Sequence, residues 1–220
     1  MITVNECYLF DFDGTLVDSM PTFISTMLRI LDENRIPYEE DIVKTITPLG
    51  LEGTARYYIE TLGLQLSREH LMSLMMAYMQ DNYFYHIPPK AHVPEVLQIL
   101  KNRGASLNAL TASPHVTLDA CLKRLGLWDL FDNVWSCDDF HTTKADPGIY
   151  RSAAAKIGLP VEQILFLDDN PDACQTAKNA HMAVCGVFDP SSKGYVERMK
   201  AIGDYYIFDF SELPDLLQRG

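Results

Sequence analysis

From residue 93 onward the chain repeats one pattern: a stretch with helical spacing, then a short apolar run that ends on a polar residue. Val93 to Asn102 reads as a helix and Ser106 to Leu110 as a strand ending at Thr111. Pro114 to Leu125 reads as a helix and Asn133 to Ser136 as a strand. Pro147 to Ile157 is a helix with proline in its first turn, where the missing N–H costs nothing. Gln163 to Leu167 is a strand ending at Asp168, Pro171 to Ala180 a helix, and Met182 to Val187 a strand. A helix near 192–201, a short strand at Tyr205 to Ile207 and a last helix from Ser211 complete the series. Alternation of this kind builds βαβ units and a parallel sheet. A parallel sheet is covered on both faces, so its strands are apolar throughout. Cys7-Tyr8-Leu9-Phe10, which runs into Asp11, has that character and supplies a further strand.

Between this first strand and the breaker Ile87-Pro88-Pro89 the texture is helical only. Phe23, Met27, Leu28, Ile30 and Leu31 share one side of a helix between Asp18 and Asn34. Ile42 and Ile46, then Ala55, Tyr58, Ile59 and Leu62, then Leu71, Leu74, Met75, Tyr78 and Met79 recur at three- and four-residue steps. The fold class expected is therefore α/β: a Rossmann-like parallel-sheet core at 1–15 and 88–220, with an inserted all-helical cap domain at 16–87. Leu16-Val17-Asp18 and His86-Ile87-Pro88-Pro89 are the expected hinges. Met72, Met75, Met76 and Met79 form a stripe read as a packed or adaptable face of the cap.

Among 220 residues, 18 Lys+Arg face 30 Asp+Glu, a net charge of −12, and no nucleic acid or anionic membrane is expected as a partner. Cysteines 7, 121, 137, 174 and 185 lack metal or redox spacing and read as free thiols of a reducing compartment. MITVNECYLF has no basic leader region, and no apolar run approaches the roughly 20 residues of a membrane span. The expectation is a cytoplasmic protein, monomeric or weakly homodimeric. The six histidines show no ligand spacing and read as surface or supporting residues.

In an open parallel sheet, ligands bind beyond the carboxyl ends of the strands. The polar groups delivered there are Asp11-Phe12-Asp13-Gly14-Thr15, Thr111-Ala112-Ser113 and Asp168-Asp169-Asn170, with Lys144-Ala145-Asp146-Pro147 opening a helix at the same edge. Four carboxylates, 11, 13, 168 and 169, against one lysine leave three negative charges uncompensated. Such a cluster requires a cation, and all-oxygen ligands select Mg²⁺. Ser113-Pro114 and Asn170-Pro171 are also helix-start pairs, so Ser113 is expected to cap one helix, and Asp168 or Asp169 in part the other.

DFDGTLVDS, followed in order by the other three segments, resembles the haloacid dehalogenase-like hydrolase superfamily. The likeness is to the phosphatase and phosphomutase branch with a small helical cap, the phosphoglycolate phosphatase and β-phosphoglucomutase group, and it runs from Leu9 to about Val187. The resemblance implies that Asp11 is a nucleophile forming an aspartyl-phosphate and that Asp13 is the general acid and then the base, its backbone carbonyl also meeting Mg²⁺. It implies that Thr111 and the Ala112 amide hold a phosphoryl oxygen and that Lys144 neutralises Asp11 and the phosphate. Asp169, with Asp168 beside it, would complete the metal site, while Gly14 allows and Thr15 orders the turn out of the strand. Ala145, Ala173 and His181 stand where relatives commonly carry proline, a small or acidic residue, and glycine.

Within that superfamily, Asp13 argues against dehalogenation, and Met20 to Ile24 supply no lysine for phosphonate chemistry. Phe23, Leu51 and Met79 fall where mutases place polar groups for a second phosphate. The expected activity is Mg²⁺-dependent hydrolysis of a small phosphorylated metabolite. A phosphomutase and a catalytically silent phosphate-binding module are the alternatives. Gly50 and Leu51, in an expected loop at Leu49 to Gly53, are the candidate substrate contacts of the cap.

Overall fold

The structure is a computed structural model that describes residues 6–216. Residues 1–5, on which the reading of the N-terminus partly rests, and 217–220 lie outside the described residues. The chain forms two compact units, one reaching to Asp18 and resuming at Pro88, the other spanning Ser19–Ile87.

The first unit is built on strands β1 (Cys7–Phe10), β2 (Ser106–Thr111), β3 (Asn133–Ser136), β4 (Leu165–Asp168), β5 (Ala183–Val187) and β6 (Tyr205–Ile207). They form one sheet in the order β3-β2-β1-β4-β5-β6, and each neighbouring pair is parallel. Every residue of β1, β4 and β5 is buried, as a doubly covered sheet demands. Phe10 is in register with Ala109 of β2 and Leu167 of β4. The chain winds one way through β1, β2 and β3 and then the other way from β4. The order therefore reverses between β1 and β4, where the crevice of such folds opens.

The second unit contains helices α1 (Met20–Glu33), α2 (Ile42–Ile46), α3 (Gly50–Glu60) and α4 (Arg68–Tyr85). Met27, Ile30 and Leu31 of α1, Ile46 of α2, Ala55 and Tyr58 of α3, and Leu71 and Met75 of α4 share its core. The Tyr58 hydroxyl donates to the Met27 carbonyl at 3.1 Å, so the largest side chain in that core is not left with an orphaned polar atom. The methionine stripe does not act as one face. Met75 is fully buried, Met72 and Met79 lie at the core's edge, and Met76 is exposed.

The expected loop at Leu49 to Gly53 is corrected by the structure. Thr47–Leu49 make a 3₁₀ turn and α3 begins at Gly50. Ala55 and Tyr58 anchor the helix, and Thr54 Oγ1 donates to the Ile46 carbonyl at 3.2 Å, drawing the preceding turn into helical conformation. Glu52 sits in the first turn, where the helix dipole favours an acid, and pairs with Arg68. Leu51 packs partly against the core of its own unit.

The sheet unit continues with α5 (Val93–Asn102), α6 (His115–Arg124), α7 (Pro147–Ile157), α8 (Pro171–Asn179), α9 (Val196–Ile202) and α10 (Leu213–Leu216). Leu9, Phe166 and Val184 of the sheet share a buried cluster with Ile149, Tyr150 and Ala153 of α7 and Cys174 and Ala177 of α8. Boundaries shift where short turns intervene. Val161–Gln163, Pro190–Tyr195 and Phe210–Glu212 are 3₁₀ turns, placed where the sequence suggests the start of β4, α9 and α10. The five cysteines are free and buried. No helix among the described residues is long and apolar enough to cross a membrane.

Candidate active site

Three adjacent strands, β2, β1 and β4, end at the same edge of the sheet, so parallel pairing alone brings Thr111, Asp11 and Asp168 together. Asp11 is 6% exposed, and its N–H donates to the Leu167 carbonyl at 2.8 Å, extending the ladder one residue past β1. The chain then doubles back. Leu16 and Val17 donate to the Phe12 carbonyl at 2.8 and 3.0 Å, and Gly14 donates to the Val17 carbonyl at 3.0 Å. Gly14 has φ +75°, and a Cβ there would lie 2.7 Å from Asp169 Oδ2. Glycine is thus required twice, for the left-handed backbone and for the close approach to Asp169. Thr15 does not order this turn with its side chain: its buried hydroxyl has no hydrogen-bond partner among the described residues. The backbone bonds of Phe12 and Gly14 hold the turn instead.

Lys144 reaches the cluster from the loop before α7. Its Nζ bonds Asp11 Oδ1 and lies 2.9 Å from Asp168 Oδ2. The loop is fixed at both ends. Asp146 caps α7 through the Gly148 N–H at 2.8 Å, and the buried Tyr150 hydroxyl lies 3.2 Å from the Lys144 carbonyl and 3.0 Å from that of Ala173. Asp168 Oδ1 accepts from the Asn170 N–H at 2.8 Å. Neither Asp168 nor Asp169 caps α8. Asn170 does, accepting from the N–H groups of Asp172 and Ala173, because it alone stands at the position before the first helical residue.

The expected capping role of Ser113 is also corrected. Pro114 occupies the N-cap position of α6 and makes no side-chain bond there. Ser113 instead donates its hydroxyl to Asp13 Oδ2 at 2.5 Å, and its N–H to Thr111 Oγ1 at 3.0 Å. Thr111 is buried at the end of β2, and Ala112 is exposed in the turn that follows. Gly50 and Leu51 belong to the helical unit, at the start of α3.

One oxygen from each of Asp11, Asp168 and Asp169 lies within 4.8 Å of the others. Burial, and then the Asp168 charge, push the Asp11 carboxyl up to about 7 despite Lys144. Burial, with Asp168 and Asp11 beside it, holds the Asp169 carboxyl well above its ordinary value. Burial pulls the Lys144 ammonium down, but Asp11 and Asp168 outweigh it and the net shift is upward. Lys144 therefore stays charged while the carboxylates remain under-compensated. An all-oxygen cluster with excess negative charge fits Mg²⁺.

Three residues of this site escape a sequence reading. Lys90 Nζ is 2.7 Å from the Gly14 carbonyl, 2.6 Å from that of Phe188 and 3.0 Å from Asp189 Oδ2. Its partners lie 76 to 99 positions away, and two are backbone carbonyls, so no local signal marks it. Asp189 and Tyr150 are the others. Asp189 has a local trace, since Asp189-Pro190-Ser191 is a turn start, and it accepts from the Ser191 N–H at 2.9 Å.

The fold is a Rossmann-like α/β sheet with a reversed strand order, and Asp11, Asp168 and Asp169 converge with Lys144 at the reversal. The chain belongs to the haloacid dehalogenase-like hydrolase family, whose model matches residues 8–187. It is 28% identical over 182 residues to the pyrophosphatase PpaX of Bacillus velezensis, covering 81% of each chain. It is 28% identical over 228 residues to the phosphoglycolate phosphatase of Colwellia psychrerythraea, covering 97% of each. The crystal structure of the hydrolase YfnB of Bacillus subtilis bound to magnesium shares the fold with a TM-score of 0.79 at 17% identity, over 96% of this chain and 97% of that one.

Proposed function

We propose that this protein is a Mg²⁺-dependent phosphomonoester hydrolase acting on a small phosphorylated metabolite. The observation that carries the reading is Lys144 bonded at once to Asp11 and Asp168, within a set of carboxylate oxygens that lie 4.8 Å or less apart. Buried charges of both signs converging at a crevice, with perturbed carboxylates among them, are a pattern that functional sites concentrate. Phosphatase names among the relatives and magnesium in the YfnB structure support it.

Asp11 attacks phosphorus, the bond to the ester oxygen breaks, and the departing alkoxide takes a proton from Asp13. Asp13, now a carboxylate, takes a proton from water, whose oxygen attacks the phosphorus of the aspartyl-phosphate. The bond between phosphorus and the Asp11 oxygen breaks, returning the Asp11 carboxylate and releasing inorganic phosphate. Thr111 and the Ala112 amide hold phosphoryl oxygens, and Lys144 offsets charge on Asp11 and the phosphoryl group in both steps. Asp11, Asp168, Asp169 and the Asp13 carbonyl would hold Mg²⁺, which supplies charge neutralisation at the phosphoryl oxygens when bound. Phe23, Leu51 and Met79, at positions where mutases place polar groups for a second phosphate, pack partly against the core of their own helical unit, which supports hydrolysis over the mutase reading.

Turnover of p-nitrophenyl phosphate with Mg²⁺, and then a panel of phosphorylated metabolites, tests the reading. Hydrolysis that EDTA abolishes is expected. No turnover of any compound with Mg²⁺ present, or formation of glucose 6-phosphate from β-glucose 1-phosphate as the main reaction, overturns it.

A further inference from the structure

Lys90 lies outside the four sequence segments that carry the chemistry, yet its ammonium reaches into the turn that holds Asp13. Its side chain is 15% exposed and all three N–H groups are used, on the Gly14 carbonyl, the Phe188 carbonyl and Asp189 Oδ2. Asp189 is 1% exposed and is itself fixed, Oδ1 accepting both the Ser191 N–H at 2.9 Å and the Ser191 hydroxyl at 2.5 Å. The Lys90 N–H donates to the Leu16 carbonyl at 3.0 Å, so side chain and backbone grip the same turn at two points. Long flexible lysines are seldom buried with every donor committed, because ordering the chain and stripping its water both oppose it. What this arrangement fixes is the position of Gly14.

Gly14 is the wall against which Asp169 rests. A Cβ on Gly14 would sit 2.7–2.8 Å from all three atoms of the Asp169 carboxyl group, so that carboxylate lies close over the turn with no room for a side chain between them. If the Gly14 carbonyl were released, the turn could move and Asp169 would lose the surface that sets its direction. We infer that Lys90 is a positioning residue for the metal-site carboxylate Asp169, acting through the Gly14 carbonyl. The inference rests on the reading of Asp169 as a Mg²⁺ ligand. Lys90 Nζ bonds Gly14, Phe188 and Asp189 rather than Asp11, Asp168 or Asp169, so its place is in the shell of contacts that orients a ligand.

The test is Mg²⁺ binding to the whole chain by calorimetry, with Mg²⁺ alone as the probe, beside thermal melts without Mg²⁺. Lys90→Met alone leaves Asp189 buried without its cation and is expected to melt early. Lys90→Met with Asp189→Asn removes both charges, keeps an acceptor for Ser191, and is the variant that decides. Its melting temperature is expected near that of the wild type, with Mg²⁺ Kd raised about ten- to a hundredfold, the range for lost ligand-orienting contacts. A folded double variant binding Mg²⁺ within about threefold of wild type overturns the inference and leaves Lys90 as a fold staple. Should the double variant not fold, Lys90→Arg decides. It keeps the charge but not the ammonium's three-way fit, and an unchanged Kd again overturns the inference. Wild-type protein that binds no Mg²⁺ sinks the metal-dependent reading itself and this inference with it, whereas intact wild-type binding with unchanged variants sinks the inference alone.

Discussion

Ser113 donates its hydroxyl to Asp13 Oδ2 at 2.5 Å, joining the end of β2 to the turn after β1 across 100 positions of sequence. This bond ties the orientation of the Asp13 carboxyl group, the proposed proton donor to a leaving group, to the end of β2. Ser113→Ala should therefore lower kcat/KM for alkyl phosphates by about 1.5–3 kcal/mol, or roughly ten- to a hundredfold, as loss of a hydrogen bond to a charged group does. Nitrophenolate leaves with less help from an acid, and the loss should shrink for p-nitrophenyl phosphate. Equal losses on both substrates would mean that Ser113 does not orient the acid.

Asp11→Asn should leave the fold intact and reduce kcat by about a thousandfold or more, since an amide does not attack phosphorus. Without Mg²⁺ the variant should also change how stability depends on pH. Folding raises the Asp11 carboxyl from 3.8 to about 7, so the folded chain keeps a proton that the unfolded chain has released over that window. The stability this group contributes is whole below about pH 4 and is lost as pH rises through about 7. Melting temperatures of the two proteins, compared from pH 4 to 8, should diverge in favour of Asp11→Asn as pH rises. A constant difference would show that Asp11 titrates as an ordinary carboxylate.

Much of this site is legible in the sequence because its main parts are local. Asp11 and Asp13 are two residues apart at the end of an apolar run, and Asp168 and Asp169 are adjacent at the end of another. Parallel pairing does the rest, since β1 lies between β2 and β4. Residues with two competing local roles are not legible in this way. Ser113 before Pro114 has the chemistry of a cap, and only the return of the β1 turn to within 2.5 Å gives it another partner. The same holds for the start of α3: Gly50 and Gly53 suggest a loop, but burial of Ala55 and Tyr58 outweighs the helix cost of two glycines. Lys90 is least legible of all, because carbonyl acceptors leave no residue type to read.

Lys144→Met should destabilise the Mg²⁺-free protein by about 3–5 kcal/mol, the usual cost of leaving buried charges without their partner. Asp11 and Asp168 are 6% and 1% exposed, so water cannot replace the ammonium. Mg²⁺ brings positive charge to the same carboxylates and should raise the melting temperature of this variant more than that of the wild type. Calorimetric melts with and without Mg²⁺ measure both effects. A variant that melts like wild type without the metal would show that the Lys144 pairs contribute nothing to the fold.

Gly14→Ala joins the backbone and the metal site in one substitution. At φ +75° an alanine is strained by roughly 1–2 kcal/mol relative to glycine. Its Cβ would meet the Asp169 carboxyl at 2.7–2.8 Å, a distance that neither group tolerates, and the carboxylate is the one that moves, because Gly14 is tied by hydrogen bonds to Val17 and Lys90. Two measurements should therefore shift together. The melting temperature without Mg²⁺ should fall by several degrees, since 1 kcal/mol is worth about 2–4 °C in a chain of this size. The Mg²⁺ concentration needed for half-maximal hydrolysis should rise by about tenfold, as when a ligand loses its orientation. Asp169→Asn provides the reference, because it damages the metal site without straining the turn. It should raise the Mg²⁺ requirement at least as much while leaving stability unchanged or improved, since one carboxylate fewer remains in a crowded cluster. Gly14→Ala that lowers stability but leaves the Mg²⁺ requirement at the wild-type value would show that the turn and Asp169 move independently, and that their contact does not set the metal site.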